Sequence, residues 1–68
     1  MANGYEKGAA RVSVIRCANK AIDVAWNSSA PESRKIAYIR AVDHIVFEHD
    51  RCGKSESDAL REIAALKM

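Results

Sequence analysis

The chain has 68 residues, 49% of them hydrophobic, and 11 basic side chains against 9 acidic ones leave a formal net charge of +2. This is room for one domain, spanning residues 1–68, with a globular composition and no strongly basic surface. A core of this size rarely supplies more than about 3–5 kcal/mol without a disulfide, a metal or a second copy of the chain.

No apolar run resembling a signal peptide appears at the N-terminus, and no stretch approaches the roughly 18 apolar residues of a membrane span. Cys17 and Cys52 are too few for a secreted disulfide framework, so the expectation is a cytoplasmic protein without a membrane partner. Residues 1–8 contain Gly4 and Gly8 and are expected to form a flexible lead.

The first predicted helix runs from about Ala9 to Trp26. Val14, Ile15, Ala18, Ala21, Ile22, Ala25 and Trp26 fall on one broad apolar face, which Ala10, Cys17 and Val24 widen. Arg16, Asn19, Lys20 and Asp23 occupy the opposite side. Ser29 and Glu32 then have the spacing of a capping box, with Pro31 in the tolerant first turn.

The second predicted helix spans about Pro31 to Cys52, with Tyr38, Ile39, Val42, Ile45 and Val46 as its inward stripe. Gly53 suits a left-handed stop. Ser55 and Asp58 open a third helix, to about Lys67, whose inward positions are Ala59, Leu60, Ile63 and Ala64. Short connections make consecutive helices antiparallel, so the predicted fold is all-α: a small three-helix bundle, or a helical hairpin with a docked short third helix.

Candidate chemistry is sparse. His44, Glu48 and Cys52 recur at four-residue spacing along one ridge, as ligands of a zinc ion could, but the remaining ligand has no source. The ordinary reading is a solvated face with a His44–Glu48 contact, and no metal or cofactor is expected. His44 and Cys52 lie about 12 Å apart by helix rise, too far for a nucleophile–base pair. A Cys17–Cys52 disulfide would need the two to come within about 7 Å, whereas an antiparallel hairpin separates them by about 15 Å. Phosphate loops, nucleophile elbows and dinucleotide fingerprints are absent, and no residue is assigned as catalytic.

Two binding readings remain. In the first, the protein is a non-enzymatic interaction module, a regulator or inhibitor that binds a protein partner as a homodimer. Ile36, Arg40, Asp43 and Phe47 are its expected partner-binding residues. Spacings of four, three and four keep them on one ridge off the main stripe. Their order, apolar, basic, acidic, apolar, is palindromic about the Ala41–Val42 bond, as an antiparallel two-fold pairing requires. The ordinary reading of the same four residues is an Arg40–Asp43 pair within one helix, with the third helix covering Phe47. In the second binding reading, the last two helices form a weak helix-turn-helix on nucleic acid. Glu56 and Asp58 at the start of that recognition helix would repel phosphates.

Overall fold

The computed structural model describes residues 11–68. Three helices, α1 (Val12–Trp26), α2 (Glu32–Arg51) and α3 (Glu56–Ala65), pack against one another, with no strand among the described residues. The fold is a small all-α three-helix bundle. The expected flexible lead over residues 1–8, and Ala9 and Ala10 of the first predicted helix, lie outside the described residues. Arg11 is extended at the N-cap of α1.

Each helix contributes two residues to one core cluster: Val14 and Ala18, Val42 and Ile45, Ala59 and Ile63. Alanine at two of these six positions lets the backbones approach closely, while Val14, Val42 and Ile63 fill the space between them. Cys17, Ala21, Ile22, Tyr38, Val46, Leu60 and Leu66 pack around this centre, half-buried. Ile15, Trp26 and Ala64 do not take the core positions expected of them, and all three are exposed. An apolar arc wider than one helix–helix contact cannot turn inward along its whole width.

The junctions differ in how they are closed. The expected Ser29–Glu32 capping box does not form. Pro31 is the N-cap of α2, and its carbonyl accepts from the Arg34 and Lys35 amides at 3.0 and 3.1 Å. Ser28 instead finishes α1, donating its hydroxyl to the Ala25 carbonyl at 2.7 Å, and the Lys35 ammonium donates to the Trp26 carbonyl at 2.8 Å. Gly53 takes the expected positive φ of 85°, and the Cys52 and Lys54 amides both converge on the Glu48 carbonyl. Ser55 caps α3, accepting from the Asp58 amide at 3.1 Å, with Glu56 and Asp58 in the first turn where the helix dipole favours them.

His49 ties three segments together. Its Nδ1 lies 2.7 Å from the Lys54 carbonyl, and its Nε2 accepts from the Arg11 amide at 3.2 Å. A carbonyl can only accept, so the proton sits on Nδ1 and Nε2 is free to accept at the start of α1. Lys54 plays a second tying role. Its largely shielded ammonium lies 2.8 Å from Glu62 of α3 and 3.3 Å from Glu48 of α2.

Candidate interaction face

Two contacts fix how α1 and α2 lie together. Lys35 meets Trp26 near the turn, its ammonium 5.5 Å from the indole centroid, and His49 meets Arg11 at the other end. The helices are therefore antiparallel, and counting inward from these two contacts at about 1.5 Å per residue puts Asn19 about level with Val42. The start of α3 touches α1 on the Ser13 side, where Glu56 accepts from the Ser13 hydroxyl and approaches Arg11 at 4.0 Å. Farther along, Leu66 and Met68 line a groove with Arg34, Tyr38 and Ala41 of α2, and Met68 reaches Ser28. The third helix thus occupies one side of the α1–α2 hairpin.

The opposite side carries the expected partner-binding residues. At about 100° per residue, Ile36, Arg40, Asp43 and Phe47 cluster roughly 160° around α2 from Val42 and Ile45. All four are exposed, Phe47 to 54% and Ile36 to 41%. The third helix does not cover Phe47. No ion pair within 4.0 Å joins Arg40 or Asp43 to each other or to another described residue. The ridge is thus an apolar–charged–apolar strip whose charges have no partner among the described residues.

A second strip flanks the first: Ile15, Ile22 and Trp26 come from the broad face expected of α1, whereas Asn19, expected on the opposite side, lies at the centre of the strip. Val12, Ile15, Asn19, Ile22 and Trp26 follow one another at spacings of three, four, three and four, a seam about 100° around α1 from its buried residues. Val12 and Trp26 are 63% and 52% exposed, and Ile22 is half-buried. The alternation of three and four within the wider apolar arc was the signal available in the sequence.

The ridge considered for metal binding is otherwise engaged. His44 Nε2 approaches Glu48 Oε2 at 3.3 Å, and Glu48 also serves Lys54. Cys52 is exposed beyond the last turn of α2, and both cysteines are free. No three described His, Cys, Asp or Glu side chains converge as a metal cage. The Lys54 ammonium is held above its usual 10.5, chiefly by its hydrogen bond to Glu62, against partial burial and with Glu48 adding to the effect. No described helix is long and apolar enough to cross a membrane.

Comparison of the chain with protein-family models, with curated proteins and with solved structures returns no match.

Proposed function

We propose that this protein is a non-enzymatic interaction module, a regulator or inhibitor that binds a protein partner, and that it works as a homodimer joined through the outer ridge of α2. The observation that carries the reading is the exposure of Ile36, Arg40, Asp43 and Phe47 together, with neither charge paired among the described residues. In an antiparallel two-fold pairing, Ile36 meets Phe47 of the partner subunit, and Arg40 meets the partner's Asp43, twice each. The apolar ends supply burial, and the charged middle sets register and disfavours a parallel arrangement. Burial in the second copy also adds to a core cluster of six buried residues among those described.

Sedimentation equilibrium tests the reading on the wild type, Phe47→Ala, Arg40→Asp, and the Arg40→Asp/Asp43→Arg double variant. A wild-type dimer, weakened by either single change and partly restored by the double swap, is expected. A monomer at high micromolar concentration, or a dimer indifferent to all of these changes, refutes it. The nucleic-acid alternative is disfavoured by the carboxylates at the start of α3. It would be revived by tight, sequence-selective binding of labelled duplex at physiological salt.

A further inference from the structure

A single helical ridge is too small for the dimer just proposed. Ile36 to Phe47 covers roughly 17 Å of a helix about 10 Å wide, whereas stable interfaces bury about 800 Å² on each partner. A face two helices wide on this 42 × 21 × 16 Å body comes far closer to that area. The α1 seam supplies the second helix. It lies on the same side of the hairpin as the α2 ridge, away from α3.

The pattern of the seam matters as much as its area. Val12, Ile15, Asn19, Ile22 and Trp26 read apolar, apolar, polar, apolar, apolar, a palindrome in character whose outer pair centres on Asn19 and whose inner pair centres half a residue before it. The α2 ridge is palindromic about the Ala41–Val42 bond. Because Lys35 meets Trp26 and His49 meets Arg11, these two centres stand at the same level of the hairpin. Nothing in the packing of one chain demands that coincidence. A single two-fold axis lying across both helices does, since it must serve both palindromes at once.

We propose that a second copy of this chain covers both strips together, α1 over α1 and α2 over α2, with Asn19 of each copy meeting its counterpart on the axis. The inference rests on the homodimer reading and adds α1 to it. Val12 then packs against Trp26 of the partner subunit, and Ile15 against the partner's Ile22. The carboxamide of Asn19 both donates and accepts, so two of them satisfy each other across an axis. A polar residue at such a seam position fixes register and orientation at some cost in affinity. Arg40 and Asp43, which have no ion-pair partner among the described residues, complete a polar belt beside it between two apolar ends.

Trp26 is the only tryptophan, so it reports on α1 alone. The full chain is diluted from high micromolar to nanomolar concentration, with sedimentation and tryptophan emission followed together. The emission should shift to the blue and resist acrylamide quenching in step with dimer formation. Asn19→Cys, made in a Cys17→Ala/Cys52→Ser background, should oxidise to a covalent dimer nearly completely. Lys20→Cys in the same background, one position off the seam, should cross-link at least tenfold more slowly. Asn19→Asp, exposed in the single chain and therefore tolerated by its fold, should weaken the dimer at least tenfold and more so at low salt.

A dimer whose Trp26 emission does not follow concentration, with Asn19→Cys and Lys20→Cys cross-linking alike, overturns the two-helix face and leaves the α2 ridge standing. A monomeric wild type overturns both.

Discussion

Replacing Ile63 with alanine is the sharpest test of the core. Ile63 is 2% exposed and, with Ala59, is one of only two fully buried residues on α3. The change removes three carbons, about 2.4 kcal/mol at about 0.8 kcal/mol per buried carbon group, and the unfilled cavity raises the cost to about 3–4 kcal/mol. A chain of this length has a total stability of about 3–10 kcal/mol. A helix of ten residues does not persist alone in water, so loss of its anchor should release α3 and, with it, the third side of the core. Urea unfolding followed by circular dichroism, at one fixed protein concentration, should show the midpoint collapse or the baseline lost. Val24→Ala, at an exposed position on α1, should cost less than about 0.5 kcal/mol in the same assay. A loss below about 1 kcal/mol for Ile63→Ala would mean that α3 does not dock as described.

Three further outcomes follow from the junctions. Gly53→Ala meets no atom within 4 Å of the added methyl, so its cost is the left-handed backbone alone, about 1–2 kcal/mol, and Gly53→Asn should recover part of it in thermal melts. His49→Ala removes the bridge between the start of α1 and the approach to α3, costing about 1–3 kcal/mol, with the Arg11 amide exchanging faster by hydrogen-exchange NMR. Lys54→Met leaves Glu48 and Glu62 facing each other and should lower the melting temperature, with Glu62→Gln restoring part of it. Because the pKa of Lys54 is raised in the folded chain, its stabilisation is fully present below 10.5 and fades as pH climbs through the raised value. The wild type and Lys54→Met should therefore differ at neutral pH and converge in strong alkali.

The three helices, both breaks and most of the buried residues are legible in the residues alone. Hydrophobic period marks the inward face of a helix from its own residues, and the Ser55 cap and the left-handed Gly53 are local chemistry. Spacing alone also places Ile36, Arg40, Asp43 and Phe47 off the core stripe. The remaining features depend on how the helices pack. The apolar arc of α1 is wider than the surface its neighbours can cover, and α3 docks on the Ser13 side, so Val12, Ile15 and Trp26 are left outside. Ser29 does not cap α2 because Pro31 stands at the N-cap, while Ser28 closes α1. The His49 bridge joins residues 38 apart in the chain, and the Lys54 cluster joins side chains of two different helices. Only the register between helices, set by side-chain interlocking across all three, brings such groups to the same level.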